Sequence, residues 1–217
     1  MRMGMRAAAG LAALVLAVSA ALAEGERAGD FDHYVLALSW SPSWCATTGA
    51  TRGDPQCAPG RAARFVLHGL WPQYGDGGWP SFCHSPAPDP SRAQTAAMAD
   101  IMGNPGAAWY QWKKHGRCAG LAAADYFSLA RRALAGVTIP PVLQEIDHDV
   151  RLPASVIEAA FLEVNPAFRP DMVTITCKGE RIAEVRLCLT RDLAPRPCAG
   201  PAARDCRAQS ALLAAPR

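Results

Sequence analysis

FVLHGLWPQ, from Phe65 to Gln73, and WYQWKKHGRC, from Trp109 to Cys118, are the two stretches on which the reading of this chain turns. Each brings one histidine beside tryptophan and glycine, and the second adds Lys113 and Lys114. The first opens as a buried strand, since Arg64 to Leu67 is short and apolar. Gly69, directly after His68, permits a tight exit and close approach by a ligand. The second reads as a helix starting near Ala107. Gln111 and His115 are four apart and Lys114 is three from Gln111, so an amide, an ammonium and an imidazole share one face while Lys113 points elsewhere.

Outward from these blocks, Tyr34 to Trp40 is a second apolar strand. Ser91 caps a helix running to about Met102, stopped by Gly103-Asn104-Pro105. Asp125 to Leu134 and Ala154 to Val164 have helical spacing of apolar positions, the latter entered through Pro153 and closed before Pro166. Met172 to Cys177 and Ile182 to Leu189 alternate as strands joined by a hairpin turn at Lys178-Gly179-Glu180-Arg181. The Pro-, Ala- and Arg-rich tail from Ala194 is tied down by Cys198 and Cys206 and reads as loose after about residue 207. Helices and strands in irregular order give an α+β single domain.

At the N-terminus, Arg2 and Arg6 precede an apolar run closing at Ala21-Leu22-Ala23, the pattern of a secretory signal peptide over residues 1–23. Removing those 23 from 217 residues leaves 194, one domain over residues 24–217, and no later stretch is long enough to span a bilayer. The formal charge falls from +3 to +1 with the two arginines, which excludes wrapping of duplex nucleic acid by a broadly basic surface and leaves room for a local positive cleft. All 8 cysteines lie after the leader. An even number with no CxxC pair reads as disulfides in an oxidising compartment and not as zinc ligands. Spacing alone leaves their connectivity open.

Two histidines from separate segments, with cations and aromatic faces beside them, suit acid/base chemistry on a phosphodiester. An unperturbed pKa of about 6.5 lets one be neutral while the other is charged. A lysine and neutral donors stabilise charge building on the phosphoryl oxygens. In RNA the 2′-hydroxyl is a ready nucleophile, so this route needs no metal or other cofactor, and DNA is inert to it. His33, His84 and His148 lie in no such block and read as surface or locally hydrogen-bonded residues. Trp40, Trp44, Trp109 and Trp112 read as core.

The two blocks, with YVLALSWSPSWC near the N-terminus and WPSFC at Trp79 to Cys83, resemble the ribonuclease T(2) family, secreted base-non-specific endoribonucleases, in its bacterial type. The similarity runs from about Tyr34 to Cys206. It implies a central antiparallel sheet packed with several helices. It also implies His68 as general base, His115 as general acid, Lys114 as stabiliser of the transition state, and Trp71, Gln73 and Trp79 as holders of a base. The expected activity is metal-independent cleavage of single-stranded RNA through 2′,3′-cyclic phosphates to 3′-phosphates, by a monomer that is secreted or periplasmic and does not act on DNA. The family's second block normally has His-Glu before its tryptophan, where this chain has Tyr110 and Gln111. Gln111 can still hydrogen-bond a phosphate oxygen and the Tyr110 hydroxyl can partly replace the accessory imidazole. A catalytically weakened, RNA-holding relative is the alternative, and a metal-dependent phosphoesterase using His68, His115 and carboxylates such as Asp76 is a further rival. The resemblance further implies disulfides Cys83–Cys118, Cys177–Cys206 and Cys188–Cys198, leaving Cys45 with Cys57.

Overall fold

Alternation of inward and outward side chains along β1 (His33–Trp40) sets the two faces on which the domain is built. Tyr34, Leu36, Leu38 and Trp40 enter the main core, while Val35 packs on the other face with Cys188 and Ala202. In chain order there follow α1 (Ser41–Trp44), β2 (Phe65–Gln73), α2 (Arg92–Ala97), α3 (Ala99–Met102), α4 (Pro105–Lys114), α5 (Ala123–Ala135) and α6 (Pro141–Gln144). The chain then forms β3 (Val150–Leu152), α7 (Ala154–Val164), β4 (Val173–Lys178), β5 (Arg181–Leu189) and β6 (Ala211–Leu213). The computed structural model describes residues 26–217. The signal-peptide reading of residues 1–23 lies outside them.

The six strands form one sheet in the order β2-β1-β5-β6-β3, with β4 on β5. Every pairing is antiparallel except a single parallel contact between Arg181 of β5 and Leu212 of β6. With several helices packed on this sheet and four disulfides, the chain is the α+β domain its element order implies. The β4–β5 hairpin closes at Lys178 opposite Arg181, with Gly179 at φ +58° supplying the left-handed residue the turn requires.

Two bulges decide what each face carries. On β2, Gly69 pairs with Ala37 and Leu67 with Leu38, so His68 is the extra residue. On β5, Ile182 pairs with Cys177 and Glu184 with Thr176, so Ala183 is. Leu67 and Leu70 are three apart, as are Ile182 and Val185, and a regular strand would send one of each pair outward. The bulges let all four enter the core and re-aim the residues between them. The sequence reading ended the first strand at Leu67 with His68 at its tip. β2 in fact continues to Gln73, with His68 inside it.

Helix ends follow local chemistry. Ser91 and Gln94 form a reciprocal capping box at α2. The helix expected to reach Met102 breaks at Met98, whose side chain is buried in the core, and resumes as α3. Asn104 caps α4 by accepting from the Ala107 N–H at 2.7 Å, with Pro105 in the first turn.

The tail after 207, expected to be loose, is part of the sheet. Ala211 and Leu213 are buried on β6, which pairs antiparallel with β3. The Trp40 indole N–H donates to the Ala214 carbonyl, and the Ala215 N–H donates to Asp149. Composition hid this, because three small or apolar residues carry too little pattern to read as a strand until an unpaired edge is there to receive them.

His33, read as a surface or locally bonded residue, is instead 1% exposed, and neither ring nitrogen has a hydrogen-bond partner. Burial above all, and then Arg196, lower its pKa to about 4, against a raising effect of Asp32. A folded-state pKa below the ordinary 6.5 means the unfolded chain binds the proton first. The stability is therefore present above about pH 6.5 and is lost as pH falls toward 4. Replacing His33 by Leu is expected to hold or raise stability at pH 7, by up to about 1 kcal/mol, and to flatten this acid loss. Urea midpoints at neutral and acid pH check it. A lower midpoint at pH 7 with an unchanged acid slope would refute it.

Candidate active site

The cleft lies on the face of the sheet away from the main core, between β1, β2, β5 and the flank of α4. Trp112 and Ala108, four apart and fully buried, seat α4 on the core. That orientation turns Gln111 and Lys114 toward β2. After Lys114 the chain bends sharply at Gly116, where a Cβ would stand 2.7 Å from the Trp112 ring and 2.8 Å from that of Tyr126. His115 is thereby held at the helix end, its backbone N–H donating to the Gln111 carbonyl at 2.9 Å. The Cys83–Cys118 disulfide and a bond from the Phe82 N–H to the Lys114 carbonyl, 2.8 Å, fasten the preceding loop to this turn. The other disulfides are Cys45–Cys57, Cys177–Cys206 and Cys188–Cys198.

At the centre stands Trp71. Its indole N–H donates to the Gln111 Oε1 at 2.8 Å, and its ring centroid is 5.1 Å from that of His68 and 5.2 Å from that of His115. The bond passes over Gly69, where an added Cβ would lie 2.3 Å from the Trp71 Nε1 and 2.6 Å from the Gln111 Oε1. Glycine there is the condition for the contact.

His68, Lys114, Gln111, His115, Trp71, Gln73, Trp79 and Tyr110, the eight residues singled out from sequence and resemblance, all line this one cleft of about 250 Å³. Gln73 is buried, with its amide donating to the Pro72 carbonyl, whereas Trp79 and Tyr110 are exposed at the rim. A second cleft of about 390 Å³ adjoins it and shares His68, Tyr110 and Gln111. Asp76 lines neither. Of the tryptophans read as core, Trp40 and Trp112 are buried, Trp44 partly so, and Trp109 is 37% exposed.

Sequence reasoning missed an ion pair of this cleft, Glu184 and Arg186, which alternate outward on β5. The His68 Nδ1 lies 2.5 Å from the Glu184 Oε1, and the Arg186 guanidinium donates twice to the Glu184 Oε2, at 2.9 and 2.7 Å. Burial alone would raise the Glu184 pKa. The hydrogen bond and charge of His68, together with Arg186, outweigh it and hold the carboxyl at about 2. The signal was legible: two opposite charges at i and i+2 within the apolar run Ile182 to Leu189 occupy one face together. What the sequence hid was which strand lay beside them.

His115 is 5% exposed and its Nδ1 has no partner. Burial first, then the Lys114 ammonium and His68, lower its pKa to about 3. The site thus holds a histidine backed by a carboxylate and a second histidine kept neutral by a dry, cationic setting.

Among the described residues no helix is long and apolar enough to cross a membrane. The chain is similar to a ribonuclease of Aeromonas hydrophila, 46% identical over 112 residues, 52% of this chain and 48% of that protein. It is also similar to a probable ribonuclease of Haemophilus influenzae, 32% identical over 120 residues, 50% of this chain and 44% of that one. The chain spans about half the length of the curated relatives it matches. In fold it is similar to an RNase-related protein from Calystegia sepium, with a TM-score of 0.66 at 20% identity, covering 86% of this chain and 97% of that one. The profile of the Ribonuclease T2 family matches residues 31–198, which takes in every residue of the cleft except Ala202. On that match the chain belongs to the ribonuclease T2 family.

Proposed function

We propose that the protein is an endoribonuclease that cuts single-stranded RNA by transphosphorylation, without a metal, and hydrolyses the 2′,3′-cyclic phosphate to a 3′-phosphate. The observation that carries this reading is the meeting of His68 and His115 about the Trp71 ring in one cleft, with Glu184 behind His68.

The Nδ1–H of His68 donates to Glu184 in this assignment, which leaves Nε2 as an acceptor toward the cleft. That nitrogen takes the proton of the 2′-hydroxyl. The 2′-oxygen attacks phosphorus in line, and the bond to the 5′-oxygen breaks as His115 protonates it. The imidazolium formed at His68 is stabilised by the Glu184 carboxylate, the role a buried acid plays behind a histidine base. In the second step His115 takes a proton from water, the hydroxide opens the cyclic ester, and His68 returns its proton to the 2′-oxygen. Lys114 offsets charge on the phosphoryl oxygens. Trp71, Gln73 and Trp79 hold one base, Tyr110 stands at the junction, and the adjoining cleft takes the nucleoside on the other side of the scissile bond.

A general acid must carry its proton, yet burial and the Lys114 ammonium hold His115 neutral. A bound phosphate anion reverses the effect of Lys114 and draws the proton onto the imidazole. The optimum of kcat/KM, which reports the free enzyme, is accordingly expected below the ordinary histidine range. Gln111→Glu restores a carboxylate beside Trp71 and should move that optimum upward by about a pH unit, by favouring the charged His115. Profiles of both proteins over pH 4 to 8 decide the matter. An optimum above 7 in the parent protein, or no displacement in the variant, would remove this account of His115.

The leader over residues 1–23 and the four disulfides support export to the periplasm or exterior. The test of the function is digestion, in excess EDTA, of matched oligonucleotides, one all-ribose and one 2′-deoxy throughout, with products identified by mass. Ribose-only cleavage giving a cyclic phosphate is expected. Cutting of the deoxy strand, or activity only after divalent ions are restored, would overturn the mechanism. RNA binding without turnover would favour the weakened relative, in which Gln111 no longer serves.

A further inference from the structure

The large exposed hydrophobic residues are unevenly placed. Of the six among the described residues, Trp109 and Tyr110 are on α4, and Trp79 and Phe82 are on the loop that the Cys83–Cys118 disulfide ties to the end of α4. The core does not require Trp109, because Ala108 and Trp112 already seat the helix. Lys113 lies four residues on, with its ammonium 6.0 Å from the Trp109 ring centroid. Around the helix the order runs from Gln111 in the cleft, through Tyr110 at its rim, to Lys113 and then Trp109. Neither Lys113 nor Lys114 is ion-paired among the described residues. An aromatic face beside an unpaired cation, next around α4 from the rim of the cleft proposed to take the phosphodiester, has the chemistry by which single strands are held without sequence preference. Bases stack on the ring, and the ammonium meets the backbone.

We propose that Trp109 and Lys113 form an outer subsite on α4 that binds nucleotides of the single-stranded RNA lying beyond the two at the scissile bond, reached from the cleft over Tyr110. This rests on the endoribonuclease reading above. It commits to the substrate strand, since positive charge beside an aromatic face and continuity with the cleft both favour a polyanion of stacked bases over a protein partner.

The experiment compares the parent protein, Trp109→Ala and Lys113→Gln on two substrates. One is a dinucleoside monophosphate, which fills only the scissile position; the other is an RNA strand of about a dozen nucleotides. For the strand, Trp109→Ala is expected to raise KM about fivefold or more, as loss of a stacking platform does. Lys113→Gln should make the dependence of log KM on log salt shallower by about 0.7, one phosphate contact on a single strand. Neither should change kcat/KM for the dinucleotide, and thermal melts should match the parent's. Equal loss on both substrates, or no loss on either, overturns the subsite. A change in sedimentation in Trp109→Ala with RNA kinetics intact assigns the patch to contact between protein chains and overturns it as well. If the parent cuts neither substrate, the functional reading fails before the subsite is at issue.

Discussion

With His115 replaced by Ala, turnover of a single-stranded RNA is expected to fall by about two to four orders of magnitude, and with His68 replaced by Ala by a similar factor, the range set by loss of one positioned acid or base. The two variants should differ in everything except rate. His68→Ala removes a partner of a buried carboxylate, leaving Glu184 with Arg186 and a long bond from the Ser39 hydroxyl at 3.5 Å. Its folded-state pKa, now about 2 against an ordinary 4.5, should rise. A depressed carboxylate pKa gives stability that is present above pH 4.5 and is lost as pH falls toward 2. That window should narrow in His68→Ala. His115→Ala acts the other way, since it deletes a buried imidazole whose protonation the folded state resists. Its acid stability should improve. Single-turnover kinetics and acid unfolding curves on both variants separate these effects. Near-parental rates in both would end the two-histidine assignment, and the double variant should be little slower than either single one, because the pair acts as a unit.

Replacing Cys83 and Cys118 together by Ser is expected to lower stability by about 3 to 4 kcal/mol, the chain-entropy value for a loop of sequence separation 35. The bridge joins the loop carrying Trp79 to the turn carrying His115. Substrate affinity should therefore weaken along with stability, even at temperatures where the variant stays folded, since in-line attack tolerates little misplacement. The pair Cys45 and Cys57, separated by 12, closes a shorter loop and touches neither histidine. Its removal serves as the comparison, with a cost of about 3 kcal/mol and a smaller change in KM. Calorimetric melts and initial rates on the two double variants measure both quantities. Equal loss of affinity in the two would show that Cys83–Cys118 holds no special place in the cleft.

Much of this could be read from local sequence. Ser91 was legible as a helix cap, and the α7 and β4–β5 boundaries followed from periodicity and a glycine turn, whereas Asn104-Pro105, read as a stop, also opens α4. The two motif blocks carried seven of the eight cleft residues as well, and the resemblance added Trp79 from the WPSFC segment. The cysteine pairing was not of this kind: it came from resemblance, spacing alone having left it open.

Tertiary structure decided the rest. A strand written as Arg64 to Leu67 became β2 to Gln73 because pairing with β1 absorbs His68 as a bulge, and a bulge is a property of two strands, invisible in either. Glu184 is 116 residues from His68 and could be known as its partner only when β5 had been laid beside β1. The exposure of Trp109 and the burial of His33 both contradicted residue-type expectation, since burial is conferred by what packs on a position. The tail after 207 became a strand because an edge was left open for it. Sequence by itself determined the helix over Ala154 to Val164, the β4–β5 hairpin and the chemistry-bearing blocks, all set by interactions within a few residues. Register, pairing and the carboxylate behind His68 belong to contacts between distant segments, whose energies exist only once the chain has folded.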